Sequence, residues 1–184
     1  MVYNPSSDTG SSTTDLKKMV FAALFSSLTA VGAYVKIPLP ITPVPVTMQV
    51  FFVLLAGCIL GSRWGTISMI VYLLLGIVGF PVFSGGSSGL GVLFGPTGGY
   101  LIGFIFAAFV TGKFSETISH RSLLKNSLHM IVGLCIIYIF GAFRLMQVAD
   151  LTFQQTMVAG VLPFIIGDLI TLLIAAFIAT RYEV

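Results

Sequence analysis

One carboxylate stands alone in an apolar stretch near the C-terminal end of the chain. Asp168 lies within residues 162–171 and is the only acidic residue inside any long apolar run. A carboxylate at the centre of a membrane helix costs about 2.5–3.5 kcal/mol, so such residues usually face a polar cavity or an ion path. We therefore predict that Asp168 belongs to a binding site. The alternative is a carboxylate at the water interface or one paired with a structural cation.

Helical spacing groups Asp168 with three other residues. Phe164, Asp168, Thr171 and Ala175 follow one another at three- or four-residue steps, which places them on one stripe of a helix. This stripe combines an aromatic wall, an acceptor and a hydroxyl group. Such a set can bind a small ligand through a few well-placed polar groups among apolar walls.

Composition identifies a membrane protein. Of 184 residues, 57% are hydrophobic and only 8% are charged, whereas soluble proteins carry about 25% charged residues. The length allows about six spans of ~20 residues and no separate soluble domain. We predict an all-α membrane protein in which residues 17–184 form a single six-helix transmembrane bundle. Residues 1–16 are rich in Ser and Thr and are predicted to be a disordered cytoplasmic tail.

The predicted spans leave two unusual linkers. The spans are residues 19–35, 48–60, 64–80, 98–110, 128–143 and 157–180. Residues 36–47 contain four prolines, and residues 81–100 are dense in glycine and carry no charge. Irregular apolar backbone cannot face lipid, because its polar groups would lack partners there. Both linkers are therefore expected to lie against protein or over a cavity.

The positions of the cations predict the topology. With the N-terminus in the cytoplasm, seven of the nine Lys and Arg residues fall on the cytoplasmic side, as the positive-inside rule requires. Only Lys36 and Arg144 fall outside. We expect a multi-pass protein of the cell membrane with both termini cytoplasmic. Both linkers and the N-terminal half of the last helix then share the outer side with Asp168.

Polar and aromatic residues near this outer end form the predicted ligand-binding set. It combines acceptors, hydroxyl and amide groups, aromatic walls, two cations, and glycines that let bare backbone approach a ligand. The predicted residues are Asp168, Thr171, Gln49, Thr47, Phe83, Ser84, Gly85, Gly86, Ser87, Thr97, Tyr100, Phe164, Arg144 and Lys36.

A catalytic set is not expected around Asp168. The two histidines, His120 and His129, fall on the cytoplasmic side, and no nucleophile accompanies the carboxylate. A phosphate-binding Gly-Lys-Ser/Thr sequence is absent, and neither cysteine has metal-ligand spacing. We therefore expect no catalytic residue, no metal site and no cofactor. An intramembrane enzyme that uses Asp168 as acid or base is the alternative from another functional class.

Four short motifs occur in order along the chain: residues 43–49 (Pro-x-Pro-x-Thr-x-Gln), 79–83 (Gly-Phe-Pro-Val-Phe), 95–100 (Gly-Pro-Thr-Gly-Gly-Tyr) and 163–168 (Pro-Phe-x-x-Gly-Asp). Together they resemble the BioY family, the biotin-binding S-components of energy-coupling factor (ECF) transporters. The resemblance implies a six-helix membrane fold that binds biotin near the outer surface, under the linker between the first two helices. It also implies a transmembrane coupling protein and two cytoplasmic ATPases as partners, with ATP used by those subunits only.

The resemblance further implies that small residues of the first helix dock on the coupling protein. In this chain they are Ala22, Ser26 and Ala30, at four-residue spacing with Ala23 and Ser27 beside them. Faces of small residues allow membrane helices to pack closely. The alternative is that this face packs within the chain's own bundle.

One residue departs from the family pattern. The last motif of the family usually continues as Gly-Asp-x-x-Lys, whereas this chain has Thr171 in place of the lysine. We hypothesise that Arg144 or Lys36 supplies the missing positive charge. Alternatively, Arg144 pairs with Asp150 or lies in the lipid headgroup layer. Because the lysine is absent, a related ligand such as a biotin precursor is an alternative to biotin. A further alternative is that the protein transports its ligand without coupling subunits.

Overall fold

The computed structural model describes residues 8–117 and 122–182, with side chains from residue 15 onward. Seven α-helices occur in these ranges: α1 (Asp8–Tyr34), α2 (Gln49–Val78), α3 (Leu90–Phe94), α4 (Gly98–Glu116), α5 (Leu123–Val148), α6 (Phe153–Gly160) and α7 (Leu162–Ala179). Two short strands, β1 (Lys36–Ile37) and β2 (Val46–Thr47), pair antiparallel. A 3-10 turn covers Ser84–Gly86.

Helix α2 reverses direction at Gly61. This glycine has φ 79° and ψ −179°, a conformation that a residue with a Cβ rarely adopts. A Cβ atom on Gly65 would lie 2.9 Å from the Cα atom of Gly57, although residues eight apart in a straight helix are separated by about 12 Å along its axis. Residues 49–60 and 62–78 are therefore two antiparallel arms, and the reversal falls at the predicted break between the second and third spans.

Glu116 fixes this reversal from the end of α4. Its Oε1 accepts hydrogen bonds from the backbone N–H of Ser62 at 2.7 Å and from the Ser62 hydroxyl at 2.9 Å. Ser62 begins the second arm of α2, where unpaired N–H groups and the helix dipole favour a negative charge. The contact joins α2 and α4 at the end of the bundle opposite the linkers.

Five helices are long and apolar enough to cross a bilayer: α1 from Asp15 onward, α2, α4, α5 and α7. Their outward faces carry large apolar side chains; Ile166 on α7, for example, is 74% exposed. Exposing such a continuous apolar surface to water is unfavourable, whereas contact of this surface with lipid tails is favourable. The prediction of an all-α, multi-pass membrane fold is confirmed.

The linkers gather at one end of the bundle, here called the loop end (residues 36–47, 79–97 and 149–152). The Tyr34 hydroxyl donates to the Pro81 carbonyl oxygen, and the Arg144 guanidinium donates to the Phe94 carbonyl oxygen. These bonds tie the ends of α1 and α5 to the second linker. The prediction that the apolar linkers lie against protein or over a cavity holds for part of each linker: Val44 and Phe83 are buried, whereas Ile37, Ile41 and Phe94 are exposed.

Several element boundaries differ from the predictions. Residues 8–16 continue α1 instead of forming a disordered tail, because extending an existing helix adds one hydrogen bond per residue at little cost; residues 1–7 lie outside the described ranges. Helix α4 continues to Glu116 rather than ending at residue 110.

The predicted last span, residues 157–180, consists of two helices. Val161, with φ −131° and ψ −59°, separates α6 from α7. Pro163 follows in the first turn of α7, where its missing N–H costs nothing. Asp168 consequently lies in the second turn of α7, close to the loop end.

Two of the three residues of the predicted docking face on α1 are buried in the chain's own bundle. Ala22 is 4% exposed and Ser26 is 1% exposed, and the Ser68 hydroxyl on α2 donates to the Ala22 carbonyl oxygen at 2.8 Å. Ala30 is half-buried. Their small side chains serve the close packing of α1 on α2, which leaves Ala23 and Ser27 as the exposed small residues of this stretch.

Candidate functional site

A cavity lies at the loop end between α2, α4, α5 and α7, with a volume of about 570 Å³ when the open space at its mouth is included. Eight of the predicted ligand-binding residues line it: Thr47, Gln49, Phe83, Ser84, Thr97, Tyr100, Phe164 and Asp168. They come from both linkers and from three different helices. The fold therefore brings together residues that are up to 121 positions apart in the chain.

Asp168 is the charged group of the cavity. Its side chain is 5% exposed, and its Oδ2 accepts a hydrogen bond from the Tyr138 hydroxyl at 2.6 Å. No ion pair to Asp168 occurs among residues 8–117 and 122–182. A buried carboxylate is costly unless it is paired or well hydrogen-bonded. One neutral donor offsets part of that cost and leaves acceptor capacity on the carboxylate.

Sequence reasoning missed Tyr138. It lies on α5 within the predicted fifth span, and its polar hydroxyl in an apolar helix was the signal that could have identified it. The other missed lining residues are apolar: Val44, Pro45, Val50, Val92, Leu101, Phe104 and Ile137. An apolar residue that lines a cavity has the same sequence pattern as one that packs in the core, so these residues could not be distinguished beforehand.

Gln49 joins the first linker to α2 and to the second linker. Its amide nitrogen donates to the Tyr72 hydroxyl at 2.5 Å, and its Oε1 accepts from the Thr47 hydroxyl at 3.0 Å. The Tyr72 hydroxyl in turn donates to the Val82 carbonyl oxygen at 3.1 Å. Because each buried polar group has a partner, this wall of the cavity is held in one arrangement.

Aromatic rings form the apolar walls. Phe83 is fully buried, with its ring seated over Gly76 and 5.7 Å from the ring of Tyr72. Tyr100 rests on Gly141 and donates from its hydroxyl to the Gly160 carbonyl oxygen at 2.6 Å. In both places a glycine leaves room for an aromatic ring.

Ser84 offers a free polar atom to the cavity. Its hydroxyl oxygen is buried and has no hydrogen-bond partner in the part of the chain that the structure describes, and the residue lines the cavity. An unpaired buried hydroxyl costs free energy. A ligand with a matching polar group would remove that cost.

Six predicted residues do not line the cavity: Thr171, Gly85, Gly86, Ser87, Arg144 and Lys36. The Thr171 hydroxyl donates to the backbone oxygen of Asp168 at 3.1 Å, one helical turn away. The three residues of the glycine turn lie at its rim, where the Ser87 hydroxyl donates to the Ser84 carbonyl oxygen at 3.0 Å. A part for these residues in ligand binding stays a prediction.

The hypothesis that a cation balances Asp168 inside the cavity is not met by either candidate. Arg144 is held by the Phe94 carbonyl oxygen at the end of α3, and no ion pair with Asp150 is found among the described residues. Lys36 is exposed and its amino group lies against Gly85, next to the lining residue Ser84. Lys36 is therefore at the mouth of the cavity and not beside the acid.

The remaining titratable candidates lie elsewhere. His129 stacks on Phe114 with ring centres 5.6 Å apart, near the opposite end of the bundle, and His120 lies outside the described residues. No group of three His, Cys, Asp or Glu side chains in the described ranges could hold a metal ion.

Comparison with known proteins decides the family. Residues 6–184 match the model of the BioY family. The chain belongs to the BioY family. The resemblance predicted from four short motifs is confirmed over nearly the whole length.

Relatives in this family are similar along most of the chain. The biotin transporter BioY of Thermotoga maritima is 43% identical over 91% of this chain and 96% of that protein. The probable biotin transporter BioY of Pyrococcus horikoshii is 40% identical over the same shares. The crystal structure of the S-component for biotin from an ECF-type ABC transporter superposes with a TM-score of 0.87, at 26% identity over 92% of each chain.

All four motifs that resemble the BioY family contribute to the cavity. Residues 43–49 supply Thr47 and Gln49, residues 79–83 supply Phe83, and residues 95–100 supply Tyr100. Residues 163–168 supply Asp168. Segments that are distant in the chain therefore form one site.

The seating of Phe83 on Gly76 gives a test of the cavity wall. A methyl group at residue 76 would overlap the Phe83 ring, so Gly76→Ala should destabilise the protein by about 1–3 kcal/mol, the usual cost of overpacking. The thermal unfolding midpoint in detergent would report the loss. Gly91→Ala is the matched control, because nothing lies within 4 Å of a Cβ there. An unchanged midpoint for Gly76→Ala would show that Phe83 is not held in this position.

Proposed function

We propose that this chain binds biotin in the cavity at Asp168 and serves as the membrane-embedded S subunit of an ECF-type vitamin transporter. The observation that carries the proposal is the convergence of all four BioY-type motifs on one buried cavity around a carboxylate. Relatives named biotin transporters, and a similar fold in an S-component for biotin, support it. Uptake, rather than catalysis, is the function.

The chemistry of the cavity matches the ring system of biotin. A ureido ring presents N–H donors, which the Asp168 carboxylate can accept through charge-assisted hydrogen bonds worth about 1.5–3 kcal/mol each. Tyr138 holds the carboxylate in place at 2.6 Å. Phe83, Tyr100 and Phe164 supply apolar and aromatic surface for the sulfur-containing ring, since sulfur packs favourably against aromatic rings.

Lys36 is our proposed partner for the carboxylate tail of biotin. Its amino group lies against Gly85 at the mouth, beside Ser84 with its unpaired hydroxyl. With the ureido ring at Asp168, the tail points towards this mouth. The Lys36 ammonium at the mouth thus balances the negative charge of the ligand. Because residue 171 is not a lysine, Asp168 is bound by neutral donors only, which are the ureido ring and Tyr138.

We propose six membrane crossings with both termini in the cytoplasm of a plasma-membrane protein. The reversal at Gly61 supports counting the two arms of α2 as separate crossings. The arms are about 18 and 26 Å long, and the shorter one continues into the linker at the loop end. Since six of the eight Lys and Arg residues that the structure describes lie at the other end of the bundle, we propose that the loop end faces outward.

Transport then depends on partner subunits that hydrolyse ATP. No phosphate-binding motif occurs in the sequence, so we propose that ATP is hydrolysed by partner subunits, namely the transmembrane coupling protein and two ATPases that the family resemblance implies. Ala22 and Ser26 are buried, so we propose that the exposed small residues beside them, Ala23 and Ser27, form the docking face. Biotin is the transported ligand, and no cofactor is required.

Asp168→Asn tests the ligand assignment. Replacing the carboxylate by an amide removes charge-assisted acceptance, which should weaken biotin binding about 10- to 150-fold. Isothermal titration of the purified protein measures this effect. Asp150→Asn is the matched control: Asp150 is exposed on the loop end with φ 49°, a conformation that asparagine adopts readily. An Asp168→Asn affinity within twofold of the parent would contradict the proposal.

Lys36→Ala tests the placement of the tail. An exposed ion pair is worth about 0.2–1 kcal/mol, so biotin affinity should fall about 1.5- to 5-fold. The affinity for biotin methyl ester, which lacks the negative charge, should not change. Equal losses for both ligands would show that Lys36 shapes the mouth instead of binding the tail.

A further inference from the structure

A second cavity opens on the outer surface of the bundle between α5 and α6. Its volume is about 940 Å³ when the open space in front of it is included. The side chains that matter here are Cys135, Ile139 and Phe143 on α5 and Phe153 and Met157 on α6. We call it the α5–α6 groove. Most of its rim is exposed on the surface; Phe143, for example, is 59% exposed.

The groove offers no unused strong hydrogen-bonding side chain. Only three of its lining residues carry a side-chain hydrogen-bond donor: Tyr138, Thr156 and Cys135. The Tyr138 hydroxyl is bonded to Asp168, and the Thr156 hydroxyl donates to the Thr152 carbonyl oxygen at 2.9 Å. The thiol is only a weak donor. A water molecule, a lipid headgroup or a polar solute would lose hydrogen bonds on entering.

The surroundings supply one abundant apolar occupant. The groove lies on the outward face of α5, a helix long and apolar enough to span the bilayer, so the medium at its mouth is hydrocarbon. A partner helix, about 10–12 Å wide with its side chains, would cover the groove from outside instead of entering it. An acyl chain is narrow and flexible enough to enter.

We propose that the α5–α6 groove binds one acyl chain of a membrane lipid from the leaflet at the loop end. The groove is continuous with the lipid-facing surface of the bundle. Its floor includes the ring of Tyr138, and the same residue lines the cavity that contains Asp168. The bound acyl chain fills the space on the groove side of the Tyr138 ring.

The shared residue couples the two cavities. Tyr138 can keep its 2.6 Å hydrogen bond to Asp168 only while its ring stays between the groove and the cavity. An acyl chain in the groove prevents the Tyr138 ring from turning outward. The ring then keeps the Asp168 carboxylate oriented for a ligand. This consequence rests on the proposed function, whereas the lipid site itself does not.

Single-tryptophan variants test the lipid site. The chain has one tryptophan, so Trp64→Phe gives a background in which Phe143→Trp reports from the groove. Ile166→Trp is the matched control, since Ile166 is an exposed side chain near the loop end of α7 and is not among the groove residues. Each protein is kept in excess detergent and titrated with phosphatidylcholine that carries bromine atoms on its acyl chains.

Quenching at Phe143→Trp should saturate near one lipid per protein. Quenching at Ile166→Trp should stay weak and rise only in proportion to the mole fraction of brominated lipid in the micelle. Adding Cys135→Phe, which fills the groove from an exposed position, should abolish the saturable phase. The same weak quenching at both positions would overturn the proposal.

Biotin titration of the parent then tests the coupling. Added lipid should raise biotin affinity in the parent and leave it unchanged in Cys135→Phe, and an unchanged affinity in the parent would overturn the coupling. If biotin does not bind at all, the proposed function fails while the quenching result still decides the lipid site.

Discussion

The burial of the Asp168 carboxylate among membrane helices is the constraint on which the site depends. At 5% exposure the carboxylate has lost most of its water, and removing an ionised group from water costs several kcal/mol. The hydrogen bond from Tyr138 restores one interaction. The remaining desolvation cost is not offset by another protein group in the described ranges. The free acceptor positions of the carboxylate face the cavity, where a ligand with N–H or O–H donors can bind to them.

The architecture around Asp168 follows from the same constraint. The break at Val161 and the proline at residue 163 start α7 close to the loop end, so that Asp168 lies one turn below the linkers and not at the centre of a long helix. Irregular backbone is tolerated at that depth only where protein surrounds it. The second linker bonds to helix ends, as at Tyr34–Pro81 and Arg144–Phe94. The two linkers, which proline and glycine keep from forming regular helix, thus supply Val44, Pro45, Phe83 and Ser84 to the cavity wall.

Much of this arrangement was predictable because bilayer physics leaves few choices. The apolar runs indicated membrane helices, the lone carboxylate indicated a site, and eight of the fourteen residues predicted to bind a ligand line the cavity. Two of the other six have local partners. Thr171 bonds to its own helix backbone, and Arg144 is held by a carbonyl oxygen of α3. Neither contact has a sequence signal.

Other features required three-dimensional packing. The small residues of α1 have two adjacent faces, and only the structure distinguishes the buried Ala22 and Ser26 from the exposed Ala23 and Ser27. The hydroxyl of Tyr138 was a weak signal, because an aromatic residue in an apolar helix is ordinarily a packing residue. Its position between the ligand cavity and the α5–α6 groove depends on where α6 lies, which the single predicted last span did not anticipate.

The most direct measurement is an experimental structure of the protein with biotin bound. The account predicts that the ureido nitrogens lie about 2.7–3.2 Å from the Asp168 carboxylate oxygens, with the Tyr138 hydroxyl still bonded to that carboxylate and the tail directed to the mouth at Lys36. A ureido ring bound elsewhere, or an Asp168 carboxylate that makes no contact with the ligand, would contradict it.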